Sequence, residues 1–300
     1  MTNKLRPLLA TEVKNLKDLK LPMLESVKLD GIYALIVDGV IYSRSFKPIK
    51  NKHVQKLFGN RDLNGLVGEL VCGDVYAEDV FRQTTTATMA EDGVNDVKLY
   101  VFDDWSVGDK PYQERYQHYQ RRIKALNHGS IVALEHNMLH TIDEVITALD
   151  KEQKRNGEGI ILRLPSAKWK NGRSTPKSQE SVKLKFFEQQ EYKIVDVVER
   201  MHNANEAKVN EMGYTERSSH KDNMIPMNTF GAFVMELQDG RNFNVGSGLG
   251  LTDAVRKEIW NNRDKYIGKI ATVRQMKVGS KNGIPRLPTF VGLRDSEDMS

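Results

Sequence analysis

The chain has 300 residues, of which 39% are hydrophobic and 28% are charged, a balance typical of folded globular proteins and not of disordered chains. Its single cysteine, Cys72, excludes an internal disulfide framework and a cysteine-rich zinc site. Lysines interrupt the apolar runs of the N-terminus, and no stretch approaches the ~18 apolar residues of a membrane helix. We therefore expect a cytoplasmic protein of two domains that does not associate with membranes.

The net charge of +5 is small, but it is unevenly distributed. Three segments carry most of the positive charge: residues 43–61 with +6, residues 166–185 with +5 and residues 255–294 with +8. A single run of charge is often only a solvated surface. Three such runs, spread over both expected domains, favour a surface that binds the phosphate backbone of nucleic acid.

The first two thirds of the chain mix strand and helix patterns. Short apolar segments predict strands at 25–37, 66–72, 98–105 and 157–164. The pair Asp38-Gly39 predicts a hairpin turn into the segment that follows it. Helical periodicity is present at 113–127 and 142–155. Together these patterns predict an α+β domain over residues 1–188.

From residue 192 onward the pattern changes to short strands joined by Gly, Asp and Asn turns. One helix is predicted over 251–266, with Thr252 or Asp253 as its cap. Strands with a single helix predict an OB-fold β-barrel over residues 189–300. The polar tract 202–228 has little periodicity and predicts a long surface loop.

Six short motifs occur in order along the chain. They are KLDG at 28–31, SR at 43–44, GEL at 68–70, YVFD at 100–103, EGIILR at 158–163 and KLK at 183–185. Each motif alone has an ordinary structural explanation, since Lys28 suits a surface and Phe102 suits a core. Glu69 and Glu158 are less ordinary, because each lies in an apolar strand, where an unpaired carboxylate is costly.

This ordered series resembles the covalent nucleotidyltransferases, the superfamily of ATP-dependent DNA ligases, RNA ligases and mRNA capping enzymes. The segment PRLPTFVGLR at 285–294 resembles the closing motif of the ligase OB domain, and NVGSGL at 244–249 is similar to it as well. With SRSFKPIKN at 43–51 and QTTTATM at 83–89, the chain looks most like the short DNA ligases of bacteriophages. The resemblance implies an ATP-grasp-like nucleotidyltransferase (ligase) domain followed by a C-terminal OB-fold β-barrel.

The resemblance also implies roles for individual residues. Lys28 would attack the α-phosphate of ATP and form lysyl-AMP, while Asp30 and Gly31 shape the turn beside it. Glu69 would bind the ribose and, with Glu158, hold Mg²⁺ or Mn²⁺. The remaining contacts to ATP or AMP would come from Ser26, Val27, Arg44, Phe102, Lys183, Lys185, Arg286 and Arg294.

One position departs from the family pattern. Ligases of this kind usually carry Glu two residues before the nucleophile, where it contacts the adenine amino group. Here that position is Ser26, and Glu25 lies one residue further out. Either Ser26 replaces the glutamate or the strand is locally adjusted.

The activity implied is sealing of nicks in duplex DNA through lysyl-AMP and an adenylylated 5′-phosphate, by a monomer that serves replication, repair and recombination. A phage-encoded enzyme would act in the host cytoplasm. The basic residues expected to contact DNA are Arg44, Lys47, Lys50, Lys52, Lys170, Arg173, Lys277 and Lys281.

Two alternatives remain. One is an RNA ligase or an mRNA capping guanylyltransferase of the same superfamily. The other is a non-catalytic OB-fold protein that binds nucleic acid. The joint presence of Lys28, Glu69, Glu158, Lys183 and Lys185 argues against the second, because binding alone needs no lysine nucleophile.

Overall fold

The computed structural model describes residues 5–210, 214–248, 250–281 and 283–294, and the chain divides into two compact units between Phe186 and Phe187. The strands of the first unit are β1 (Leu8–Leu9), β2 (Met23–Val27), β3 (Ile32–Val37), β4 (Val40–Ser43), β5 (Leu66–Cys72), β6 (Val97–Asp104), β7 (Ile131–Ala133), β8 (Asn137–Leu139), β9 (Gly159–Arg163), β10 (Gly172–Arg173) and β11 (Ser181–Lys185). Its helices are α1 (Lys52–Phe58), α2 (Val80–Met89), α3 (Tyr112–Leu126) and α4 (Ile142–Lys154).

The first unit has two main sheets, beside a short parallel pair of β1 and β10. A five-stranded sheet has the order β4-β3-β5-β6-β7, and a four-stranded sheet has the order β11-β9-β2-β8. Their strands pair antiparallel except for β6 and β7, which are parallel. The larger core contains Leu66, Leu70 and Tyr119 of β5 and α3, and the smaller contains Ile160 and Val145 of β9 and α4. The expected mixture of strands and helices is confirmed.

The segment predicted as one strand over 25–37 is two strands in different sheets. β2 belongs to the four-stranded sheet and β3 to the five-stranded one, and β3 forms the predicted hairpin with β4 through Asp38-Gly39. Between β2 and β3, the Lys28 N–H donates to the Gly159 carbonyl at 2.9 Å. A Cβ at Gly31 would overlap the Leu70 carbonyl oxygen of β5, so the crossover between sheets requires glycine there.

The second unit is built on a five-stranded antiparallel sheet that a single parallel bridge closes into a barrel. Its elements are β12 (Phe187–Asn203), β13 (Ala207–Val209), β14 (Thr215–Arg217), β15 (Met224–Glu236), β16 (Asn242–Val245), α5 (Asp253–Asn261), β17 (Ile270–Lys281) and β18 (Ile284–Leu293). The main sheet has the order β16-β15-β12-β17-β18, and a bridge between Gly248 and Phe290 joins its two ends. Phe230, Phe233 and Val273 lie in its core. This confirms the predicted OB-like domain.

Two predictions in the second unit need correction. The tract 202–228 contains the end of β12, the β13–β14 hairpin and the start of β15, so it is only partly loop. Asn205 organises it, because its amide donates to the carbonyls of Ser218 and His220 at 3.0 and 2.9 Å. The helix predicted over 251–266 is capped by Thr252 and ends at Asn261. None of the described helices is long and apolar enough to cross a membrane.

Gly159 should be intolerant of a side chain. Its φ is 142°, and a Cβ would overlap the Leu184 carbonyl oxygen of β11. We expect Gly159→Ala to lower the free energy of unfolding by roughly 2 to 4 kcal/mol, measured by urea titration. Gly172→Ala is the matched control, because its φ is 105° but a Cβ would meet no described atom within 4 Å. Equal losses in the two variants would contradict the close-approach explanation.

Candidate active site

Three strands of the four-stranded sheet contribute to a single pocket. The antiparallel register sets Ser26 opposite Ile161, and Ile161 opposite Lys183. Because successive side chains of a strand point to opposite faces, every second residue of these strands lies on one face. Lys28 follows directly after β2 and lies on the same side. Together with it, this face lines the pocket with Ser26, Ile161, Arg163, Lys183 and Lys185. The five-stranded sheet adds Tyr33, Glu69 and Phe102.

Glu158 connects two of these lysines. The residue is 3% exposed, and its carboxylate bonds to Lys28 Nζ through Oε2 and to Lys185 Nζ, at 2.6 Å, through Oε1. Burial alone would raise the pKa of Glu158, but the two ammonium groups hold it below its ordinary value. Burial lowers the pKa of Lys185. The positive charge of Lys28 lowers it further, whereas the negative charge of Glu158 acts in the opposite direction. Lys28 and Lys185 are thus fixed on one buried anion.

Glu69 has the opposite electrostatic situation. Burial raises its pKa to about 8, and the nearby charges of Glu158 and Asp30 add to this, while Lys28 opposes it. Glu69, unlike Glu158, therefore presents carboxyl oxygens whose negative charge is only partly compensated. Hard oxygen donors of this kind suit Mg²⁺ or Mn²⁺, and Mg²⁺ usually keeps several waters and takes few protein carboxylates. Over the described residues, no group of three or more His, Cys, Asp or Glu side chains could hold a metal.

Arg163 is a pocket residue that the sequence reasoning missed. Its guanidinium carbon lies 4.5 Å from the centre of the Phe102 ring, and the side chain is buried. Within the described chain, Arg163 Nε and Nη1, Ser26 Oγ and the Tyr33 hydroxyl are buried without a hydrogen-bond partner. Buried polar atoms without partners are costly, so a polar ligand in this pocket would be stabilised. An arginine inside the apolar segment EGIILR was the available signal.

The uncertainty between Glu25 and Ser26 is resolved by the strand alternation. Ser26 lines the pocket and lies on the face of Lys28. Glu25 is on the other face of β2, does not line this pocket, and accepts a hydrogen bond from Asn137 Nδ2 at 3.2 Å. The strand is therefore not adjusted to bring Glu25 to the pocket, and Ser26 occupies the position of the usual glutamate.

The other predicted nucleotide contacts are divided between the two units. Val27 lines the pocket, as does Arg44 from the turn after β4. Lys183 also pairs with Glu12 at 3.2 Å. Arg286 and Arg294 belong to the second unit, where Arg294 bonds to Glu191.

The residues predicted to contact DNA have varied surroundings. Arg173 lines the nucleotide pocket. Lys52 bonds to Glu91 at 2.9 Å and to Asp92 at 3.1 Å, and Lys170 pairs with Glu180 at 3.4 Å. The exposed members of the set are Arg44, Lys47, Lys50, Lys52 and Arg173. The side chains of Lys277 and Lys281 lie outside the described residues.

The family models agree with this geometry. The model of the ATP dependent DNA ligase domain matches residues 7–185, and that of the DNA ligase OB-like domain matches residues 226–294. The chain belongs to the ATP-dependent DNA ligase family. It is an ATP-dependent DNA ligase of a short type, which confirms the predicted family, fold class and enzyme activity.

Solved ligase structures are similar over nearly the whole chain. The Chlorella virus DNA ligase-adenylate is 28% identical, with 98% of this chain and 99% of that chain covered and a TM-score of 0.55. A Lig E DNA ligase is 20% identical, with coverage of 96% and 99% and a TM-score of 0.70, which shows the shared fold. No curated protein sequence matches the ligase.

Glu25 provides a test of the two faces of β2. Burial raises its pKa above 4.5, so its contribution to stability is full below pH 4.5 and is lost as the pH rises through the raised value. We expect Glu25→Gln to remove this loss, so the variant gains stability relative to the parent as the pH rises. Urea titrations from pH 4 to 8 measure this. A changed half-saturating ATP concentration would instead mean that Glu25 contacts the nucleotide.

Proposed function

We propose that Lys28 is the nucleophile of this ligase and that it seals nicks in duplex DNA. The amine attacks the α-phosphorus of ATP, a phosphorus–nitrogen bond forms, and pyrophosphate leaves. The AMP then passes to the 5′-phosphate at a nick, and the 3′-hydroxyl displaces it to form the phosphodiester bond. The observation that carries the proposal is the Lys28 ammonium at the pocket, bonded to the buried Glu158, whose other oxygen bonds to Lys185.

The charges around the pocket support phosphoryl transfer. Arg44, Arg173, Lys183 and Lys185 line the same pocket as Lys28. Catalysis of phosphoryl transfer depends mainly on positioning and on electrostatic stabilisation of the phosphate oxygens. We assign these four side chains to the phosphates, with Glu158 orienting Lys28. Attack requires an unprotonated amine, so Lys28 must lose its proton before the bond forms.

The base would lie against Phe102. The flat apolar ring suits stacking on adenine. The unpartnered N–H groups of Arg163 can donate to purine ring nitrogens, and Ser26 Oγ can accept from the adenine amino group. This assignment gives partners to Ser26 Oγ and to the two Arg163 nitrogens, which a purely structural role leaves without any.

A divalent cation would be held by Glu69 and Glu158. Mg²⁺ or Mn²⁺, when bound, supplies positive charge that offsets the phosphate oxygens. The two carboxylates fit this use because Glu69 lines the pocket and because the charge of Glu158 raises the pKa of Glu69. The protein's own contribution is to orient Lys28 through its contact with Glu158.

Duplex DNA is favoured over RNA as the nucleic acid. The matched OB-like model is that of DNA ligases, which supports DNA over the RNA ligase and capping alternatives. We propose that the enzyme acts as a monomer in the cytoplasm, on nicks left by replication, repair or recombination. Exposed cations of segment 43–61, such as Lys50, would contact the DNA backbone.

Loss of Lys28 should abolish the covalent adduct. We expect Lys28→Ala to leave no detectable protein–AMP after incubation with α-labelled ATP and Mg²⁺ and denaturing electrophoresis. Lys168→Ala, which removes an exposed lysine of the same unit, should retain the labelled band. A labelled band in Lys28→Ala would overturn the assignment of the nucleophile. Labelling with GTP in preference to ATP would favour the capping alternative.

Lys50 and its neighbour Lys52 allow a matched test of DNA contact. Both side chains are exposed, but the Lys52 ammonium is already bonded to Glu91 and Asp92. Each phosphate contact makes the slope of log affinity against log salt concentration steeper by about 0.9. For a nicked duplex we expect Lys50→Ala to make this slope shallower by about 0.9, and Lys52→Ala to change it less. The opposite order, or stronger binding and sealing of nicked RNA, would count against the proposal.

A further inference from the structure

A buried group of aromatic side chains lies next to Phe102 without lining the pocket. Tyr112 and Tyr119 lie seven residues apart on α3, which places them on one face of the helix, and both are at most 1% exposed. His136, between β7 and β8, lies against them, with ring centres of Tyr112 and His136 5.6 Å apart. α3 is anchored by Arg115, whose guanidinium bonds Asp103 through two contacts of 2.7 and 3.0 Å.

The hydroxyl of Tyr112 connects this group to the backbone of Phe102. It donates to the Phe102 carbonyl at 2.7 Å and lies 2.8 Å from His136 Nε2. A phenol has one proton, so while Tyr112 donates to Phe102 its oxygen must accept from His136. We therefore infer that the imidazole proton is on Nε2, which leaves Nδ1 to accept from the Tyr119 hydroxyl at 3.3 Å. In the other tautomer Nδ1–H would donate to the Leu134 carbonyl at 3.1 Å, and Nε2 would take the Tyr112 proton away from the Phe102 carbonyl.

Arg163 completes the arrangement. Its guanidinium carbon lies 4.5 Å from the ring centre of Phe102 and 5.2 Å from that of Tyr112. Burial, aided by the charge of Arg163, lowers the pKa of His136 to about 3, so the imidazole is neutral at physiological pH. A neutral imidazole carries no charge that would repel the Arg163 guanidinium. The guanidinium can therefore stay against the rings of Phe102 and Tyr112, which orient it.

We propose that Tyr112 and His136 are positioning residues for the nucleotide. Through the Tyr112 hydroxyl they hold the Phe102 carbonyl, and through the Tyr112 ring they hold Arg163 against Phe102. This inference rests on the proposed contact of Phe102 and Arg163 with the base. Neither Tyr112 nor His136 touches the nucleotide, so their effect is on how well ATP is bound and not on the chemistry at Lys28.

The test compares variants in single-turnover adenylylation at varied ATP. We expect Tyr112→Phe to raise the half-saturating ATP concentration roughly threefold to tenfold, the size of one neutral hydrogen bond, with the maximal rate within about twofold. His136→Leu should do the same. His136→Gln should bind ATP like the parent enzyme, because the glutamine amide can donate from the position of Nε2. Melting temperatures of all variants are measured on the same samples.

Phe102→Ala separates failure of this inference from failure of the proposed function. If Phe102→Ala raises the half-saturating ATP concentration but Tyr112→Phe and His136→Leu lower only the melting temperature, the pair is structural and the inference is wrong. If Phe102→Ala also leaves ATP binding unchanged, the proposed base contact itself is wrong.

The tautomer of His136 gives a second readout. Ring ¹⁵N chemical shifts of the full-length protein should show the proton on Nε2. Tyr112→Phe should reduce this preference, because the acceptor for Nε2–H is gone. A proton on Nδ1 in the parent protein would overturn the inference whatever the kinetics show.

Discussion

The two-residue period of a β-strand is the constraint on which the nucleotide site depends. In β2, β9 and β11 it places Ser26, Arg163, Lys183 and Lys185 on one face of the four-stranded sheet. A shift of register by one residue would move each of these side chains to the opposite face. Burial of Ile160 and Leu162 on the other face of β9 opposes such a shift, so the packing that fixes the sheet also assembles the cations.

The two carboxylates of the site are held in different states by their surroundings. Glu158 has two lysine partners, which keep its pKa low, whereas burial raises that of Glu69 to about 8. Near neutral pH one carboxyl is ionised and the other retains a proton. On the proposed role of Glu69 as a metal ligand, its ionisation and the binding of a divalent cation would favour each other, so that cation affinity would rise with pH. The positive charge of Lys28 lowers the pKa of both carboxyl groups.

Sequence reasoning reached the architecture and most of the site because the signals were local. Strand patterns predicted β5 and β9 within two residues, and motif order gathered Lys28, Glu69 and Glu158. It missed α2, since the Thr-rich segment 80–89 has weak helix propensity and its helix depends on packing. It also missed the break between β2 and β3 and the pocket position of Arg163, because both depend on pairing with distant strands.

The bridge between Gly248 and Phe290 has a consequence for solubility. It brings together the segment after β16 and β18, which would otherwise be the two ends of an open five-stranded sheet. Unpaired strand ends offer backbone donors and acceptors that can recruit strands from other chains. A Cβ at Gly248 would lie 2.6 Å from the Phe290 carbonyl oxygen, so even alanine would force the seam apart. Glycine at this position therefore lets the two edges meet, and a larger residue would leave their backbone groups open to pairing with another strand.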